Sequence, residues 1–270
     1  MQITVNGLSV FAATGGRAHL PDRPTAVFLH GAGLDHTVWA AQSRWLSFHG
    51  WNVLALDLPG HGASAGVALH SIHAMAEWVI AVLDALKVDA AAVIGHSMGS
   101  LVSLAVASMV PARVSHLALI GTAAAMPVHA DLLAAARDNH HDAIDMVNLW
   151  GYGYAAGIGA SPAPGLWMVG LGERILERAP KGVLFTDLDA CNNYRDGLAH
   201  AAKVTSPTVL ICGEKDQMTP LRQGRALSEA IIQSRLVIVP GAGHMLMAES
   251  PDVIIEALGT HLDVKSRQRR

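Results

Sequence analysis

The chain has 270 residues, a length that fits one large α/β domain or two smaller ones and can bury a sizeable apolar core. Hydrophobic residues make up 51% and charged residues 15%, which excludes an extended disordered chain, and no apolar stretch reaches the roughly 18–20 residues of a membrane span. A net charge of −3 suggests no nucleic-acid partner, and the one basic run, residues 265–270, reads as a frayed, solvated tail.

The first eleven residues alternate and turn like a strand pair and lack the charged and apolar regions of a signal peptide. Six short apolar runs follow, at 26–29, 53–56, 91–94, 117–120, 208–212 and 236–239. Each is nearly continuous rather than alternating, as a strand covered on both faces should be. Helix-period segments fit between them: 71–86 with Ser71 as N-cap, 100–109, 223–232 and 251–262. This alternation predicts a mostly parallel central sheet with helices on both faces.

The pattern breaks after Gly121. From Thr122 to about Lys203 there is no clean strand run, only helical stretches at 131–150 and 170–179 around a Gly/Pro/Ala-rich loop at 151–165. The predicted organisation is a core domain of 1–121 and 204–270 with a helical cap, 122–203, inserted over the sheet's C-terminal edge. Open α/β sheets bind ligands at that edge.

The sharpest chemical signal is Gly95-His-Ser-Met-Gly99, placed between a strand run ending at Ile94 and a helix starting near Ser100. So sharp a turn forces its central residue into strained backbone, and the flanking glycines let neighbouring chain approach. The Ser97 hydroxyl is then presented at the sheet edge, facing the free N–H groups of a helix N-terminus. A serine needs a base to take its proton, and His244 follows the 236–239 strand through the turn Pro240-Gly-Ala-Gly-His244. The base needs an orienting carboxylate, and Asp216 lies three residues beyond Gly213, which closes the 208–212 strand; Glu214 reads as a solvated loop acid. The backbone N–H groups of Met98 and of Ala32, in Leu29-His-Gly-Ala-Gly33, are the expected oxyanion donors.

Signals for substrate are thinner. Trp150, Tyr152, Tyr154, Trp167, Met168 and Phe185 either line an apolar pocket or pack the insertion onto the sheet. Trp39 is a candidate pocket floor and His30 a candidate substrate contact. Asn192, Asn193 and Arg195 are polar candidates for a substrate carboxylate or carbonyl. No positive cluster in the insertion predicts a phosphate-rich substrate such as coenzyme A. Among fifteen histidines and two cysteines, Cys191 and Cys212, no zinc-ligand spacing occurs, so no metal or other cofactor is expected. Two cysteines make no disulfide framework, and a reducing cytoplasm is the default compartment.

Over nearly its whole length the chain resembles the α/β-hydrolase superfamily. The resemblance rests on His30-Gly31-Ala32-Gly33, Asp57-Leu-Pro-Gly-His-Gly-Ala-Ser64, Gly95-His-Ser-Met-Gly99, Gly213-Glu-Lys-Asp216 and Gly241-Ala-Gly-His244. It implies the α/β-hydrolase fold, and makes 57–64 a structural turn after the fourth strand, so that Asp57 is not the triad acid. Ser97 at the elbow separates the chain from haloalkane dehalogenases, whose nucleophile is an aspartate. Gly121-Thr122 leaves no acid after the sixth strand, which favours Asp216.

The branches resembled are small esterases and lactonases, carbon–carbon bond hydrolases of aromatic ring cleavage, and cofactor-free haloperoxidases. The expected function is hydrolysis of a carboxylic ester or lactone of a small, largely apolar substrate through an acyl-enzyme. Alternatives are cleavage of a carbon–carbon bond in a vinylogous diketone acid, with Arg195 and Asn192 as its clamp, perhydrolase-like activity, or non-catalytic small-molecule binding. Monomer and homodimer are both open.

Overall fold

A computed structural model describes residues 1–160 and 166–264; the basic tail and the Pro-rich half of the 151–165 loop lie outside them. Strands β1 (Gln2–Val5) and β2 (Leu8–Ala13) form the expected hairpin. It turns on Asn6-Gly7, both at positive φ, the dipeptide that suits a two-residue hairpin turn. β3 (Thr25–Leu29), β4 (Asn52–Leu56), β5 (Ala91–His96), β6 (Val114–Ile120), β7 (Thr208–Gly213) and β8 (Ser234–Val239) match the six apolar runs. They join in the order β1-β2-β4-β3-β5-β6-β7-β8, with β3 to β8 mutually parallel and β2 antiparallel to β4. This is the α/β-hydrolase arrangement.

Successive residues of a strand face opposite sides, so a strand buried on both faces feeds two cores. Val27 and Leu29 of β3 join one, against Ile72, Val79, Leu101 and Leu104 of α2 (Ile72–Ala85) and α3 (Met98–Met109). Ala26 and Phe28 join the other, against Trp39, Leu46, Ile254 and Leu258. Leu46 belongs to α1 (Ala40–Phe48) and the last two to a C-terminal helix, Pro251–His261. Ser71 caps α2 as expected, its hydroxyl accepting from the Ala74 N–H. The sequence reading missed α1, because its buried face includes Gln42, Ser43 and Ser47, which carry no apolar period.

Between β6 and β7 six helices are present among the described residues: α4 (Ala130–Arg137), α5 (Asp142–Gly151), α6 (Tyr154–Gly157), α7 (Met168–Arg178), α8 (Val183–Asn193) and α9 (Gly197–Ala201). The stretch read as one helix over 131–150 is two. It breaks where Asn139 takes φ 54°, a left-handed conformation that asparagine tolerates better than most residues. Ala190, Cys191, Tyr194 and Ala201 share the apolar core beneath α3. The second half of the insertion therefore packs with the sheet's own core instead of lying wholly above it. Beyond β7, α10 (Leu221–Ala230), α11 (Leu246–Glu249) and α12 (the Pro251–His261 helix) complete the chain. No described helix is long and apolar enough to cross a membrane.

Candidate active site

β5 runs into α3 through Ser97, whose φ of 52° and ψ of −120° place a non-glycine residue in sparsely populated backbone. Such a conformation costs about 1–3 kcal/mol and survives only where its surroundings over-determine it. Here they do. The Ser97 N–H donates to the Ile120 carbonyl at 2.9 Å, and a Cβ at Gly95 or Gly99 would collide with neighbouring backbone carbonyls. The result is a serine at the sheet edge, directly before the first turn of α3, whose N–H groups have no intrahelical acceptor.

The loops after β7 and β8 bring Asp216 and His244 together: His244 Nδ1 lies 2.8 Å from Asp216 Oδ2. Asp216 accepts from that ring and from three further donors, the N–H groups of Met218 and Thr219 and the Thr219 hydroxyl. Burial works to raise the Asp216 pKa, but His244 and the Thr219 hydrogen bonds outweigh it and hold the carboxyl below its usual range. With Nδ1 donating to Asp216, Nε2 is the acceptor of the neutral ring; it is buried and has no protein partner among the described residues. Glu214 stays outside, exposed and accepting from Gly241.

Thr219 was not foreseen. An aspartate that accepts N–H groups two and three residues on is a recognisable turn, and it gives Thr219 its place beside Asp216. His96 also has a role behind the site. Its Nε2–H donates to the His244 carbonyl at 2.9 Å, and burial, then the nearby His244, push its pKa down to about 3. The His244 loop is tied to the insertion as well. The N–H groups of His244 and Met245 donate to the Gly151 carbonyl, while the half-buried Glu249 carboxylate accepts from Gly153 and Gly243.

Above the sheet edge lies a cavity of about 310 Å³. Gly31, Ala32, Ser97, Thr219 and His244 form its base, and Met126, Leu132, Val147, Trp150, Leu184 and Leu188 its walls. His129 and Gln217 add polar groups, but no described lining residue is an acid, a lysine or an arginine. Of the insertion aromatics, Trp150 alone faces this space. Tyr152 and Met168 pack inside the insertion, with the Tyr152 hydroxyl donating to the Met168 carbonyl. Phe185 lies under the Arg137 guanidinium, Tyr154 is exposed, and Trp167 is 65% exposed and lines nothing here.

Four further expectations need correction. Trp39 is fully buried against Phe28 in the core on the sheet's other face, so it floors no pocket. His30 is also fully buried; its Nδ1–H donates to the Gly31 carbonyl and its Nε2 accepts from the Leu58 N–H, so it braces the loop and contacts no ligand space. Asn192 spends its amide oxygen on the Val128 N–H, and Arg195 donates to the carbonyls of Asn192 and Tyr194. Neither lines the cavity. Two groups of described residues have metal-like spacing, Asp35–His36–Asp57 and His141–Glu173–Glu177. None of the six lines the cavity, and their ligand atoms are already joined by bonds such as His36 to Asp57 and His141 to Glu177.

Fold and site together define a protein of the hydrolase class that carries Ser97 on a strained strand-to-helix turn. A profile of the alpha/beta hydrolase family matches residues 26–257, and the chain belongs to that family. A pimeloyl-[acyl-carrier protein] methyl ester esterase of Neisseria meningitidis is 30% identical over 244 residues, covering 84% of this chain and 89% of that protein. The dihydrolipoyllysine-residue acetyltransferase component of the acetoin cleaving system of Pseudomonas putida is 30% identical over 238 residues, 84% of this chain. The chain spans 60% of that protein's length. Among solved structures, the enol-lactonase of Burkholderia xenovorans superposes with a TM-score of 0.87 at 25% identity, covering 97% of this chain and 100% of that one. At family level the chemistry is hydrolysis of esters and lactones.

Proposed function

We propose that the chain cleaves a carboxylic ester or lactone of a small, largely apolar substrate through an acyl-enzyme on Ser97. One observation carries the reading. The unpartnered Nε2 of the Asp216-held His244 shares with Ser97 a cavity whose described lining bears no acid, lysine or arginine. His244 Nε2 takes the hydroxyl proton as Ser97 Oγ attacks the carbonyl carbon, and Asp216 stabilises the imidazolium. The tetrahedral oxyanion is met by the N–H groups of Ala32 and Met98, each worth about 3 kcal/mol of barrier. Collapse expels the alcohol with the proton from His244, and water repeats the sequence to release the acid. These steps call for no cofactor.

A vinylogous diketone acid would bring a carboxylate into the cavity. With Arg195 committed to backbone carbonyls elsewhere, no lysine or arginine among the described lining residues would pair with it. His129 and Gln217 are the polar groups left to meet it, so an ester or lactone without a carboxylate suits the lining better. Turnover of p-nitrophenyl esters from acetate to octanoate, by wild type and Ser97→Ala, tests the proposal. Wild-type turnover that vanishes in the variant supports it; a folded wild type inert on every ester, or a variant keeping a tenth of the activity, overturns it.

A further inference from the structure

We infer that Asp187, carried by the insertion, is a positioning residue for the oxyanion hole: it fixes the peptide that follows Ala32 and so aims the Ala32 N–H. The inference rests on the proposed serine chemistry.

Ala32 lies between two peptide planes, and both are pinned. The plane before it joins the Gly31 carbonyl to the Ala32 N–H. That carbonyl accepts from His30 Nδ1 at 2.9 Å and from the Leu34 N–H at 3.2 Å. In a trans peptide the N–H points opposite to the carbonyl, so these two donors, behind the loop, turn the Ala32 N–H away from themselves. Ala32 lines the cavity. The plane after it carries the Gly33 N–H, which donates to Asp187 Oδ2 at 2.8 Å. Gly33 itself sits at φ 67° beneath Leu184 and Leu176, so its backbone is held against the insertion as well.

The same Asp187 oxygen lies 2.8 Å from His61 Nε2, and His61 Nδ1 lies 3.0 Å from the Pro59 carbonyl. A carbonyl can only accept, so Nδ1 carries a hydrogen. Nε2 faces a carboxylate oxygen, so the ring has an acceptor at each nitrogen, an arrangement that favours the imidazolium paired with Asp187. Burial alone would strip that proton; the charge of Asp187 and its hydrogen bond outweigh burial and raise the His61 pKa. One buried oxygen thus joins α8 to the loop after β3 and to the turn after β4. The other, Oδ1, is buried with no protein partner. A half-satisfied carboxylate is a costly way to pack a helix, because an apolar side chain of similar volume often packs at no loss. What an apolar residue cannot do is hold the Gly33 N–H.

The test compares Asp187→Ala and Asp187→Asn with wild type. It reads kcat and KM on p-nitrophenyl butyrate, inhibition by a trifluoromethyl ketone, whose serine adduct places an oxyanion in the hole, and thermal melting. For folded Asp187→Ala, kcat should fall about 30- to 100-fold, below the 10²–10³ of deleting a donor outright. KM should stay within about twofold, and the ketone should weaken in step with kcat. Asp187→Asn keeps an acceptor oxygen and should lose roughly three- to tenfold; it carries the test alone if the alanine variant does not fold. A purely structural role would lower the melting temperature and leave kcat per folded molecule and ketone affinity unchanged, which would overturn the inference. If Ser97→Ala also keeps its activity, the serine reading falls with it; if Ser97→Ala is inactive while the Asp187 variants turn over normally, only this inference falls.

Discussion

The sheet edge and the insertion each form part of the cavity, but they contribute different things. The edge supplies every atom proposed to react: Ser97 after β5, Ala32 after β3, Asp216 after β7 and His244 after β8. Parallel register and tight turns place these groups, so their positions are properties of the backbone. The insertion supplies apolar side chains, Leu132, Val147, Trp150, Leu184 and Leu188, whose volumes set the cavity's shape. The proposed chemistry is thus tied to the backbone of the edge, while the shape of the cavity is set by side chains of the insertion. The division is incomplete. The Gly151 carbonyl holds the His244 loop, Glu249 joins Gly243 to Gly153, and Asp187 reaches Gly33.

Substitutions on the two sides should therefore differ in kind. The largest effect belongs to the edge: His244→Ala should lower kcat about 10⁶-fold without unfolding the protein, since loss of such a base costs nearly as much as loss of the whole triad. A folded variant within a hundredfold of wild type would remove His244 from the mechanism. On the insertion side, Trp150→Ala should change preference more than rate. The added room should raise kcat/KM for octanoate relative to acetate by about tenfold, in the range expected for pocket methylenes. An unchanged chain-length profile would place Trp150 outside the acyl path. Thr219→Val removes one of the four hydrogen bonds to Asp216 and should cut kcat about three- to tenfold with KM little changed. An equal loss through KM would mark Thr219 as a substrate contact.

A last contrast appears in stability against pH. His30 and His96 are held neutral in the fold, with pKa values pushed to about 4 and about 3 by burial, against an ordinary 6.5. The unfolded chain takes up protons there that the fold refuses, so stability should fall as pH drops below 6.5, by up to about 1.4 kcal/mol per pH unit for each group. His61 works the other way. Its raised pKa stabilises the fold fully below 6.5 and loses that contribution as pH rises through the raised value. The gap in melting temperature between wild type and Asp187→Asn should then be widest near pH 6 and narrow toward pH 9. Urea titrations and thermal melts from about pH 4 to pH 9 check both signs; a stability profile flat below pH 6.5, or a gap that widens with pH, contradicts them.

The same contrast governs what could be read without a structure. Continuous apolar strands, the Gly-flanked Ser97 and the strand-end positions of Asp216 and His244 are local patterns with one physical meaning each. The strands form where the apolar runs lie, and Ser97, Asp216 and His244 follow β5, β7 and β8. The insertion has no such grammar. Whether Trp150 or Trp167 faces the cavity depends on how α5 and α7 are rotated, and nothing in their spacing shows that. His30 and Trp39 misled because both stand near the oxyanion loop in sequence while their side chains point into brace and core. Asp187 was invisible for a related reason: its partners, Gly33 and His61, lie more than a hundred residues away.

The central claim is that Ser97 is the nucleophile, and covalent trapping tests it most directly. Wild-type protein treated with an alkyl fluorophosphonate would be examined by intact mass and peptide mapping while ester turnover is followed. The expected result is one adduct per chain, on Ser97, with activity lost in step with labelling. A folded protein that takes no label, an adduct on another residue, or turnover that survives complete labelling of Ser97 would contradict it.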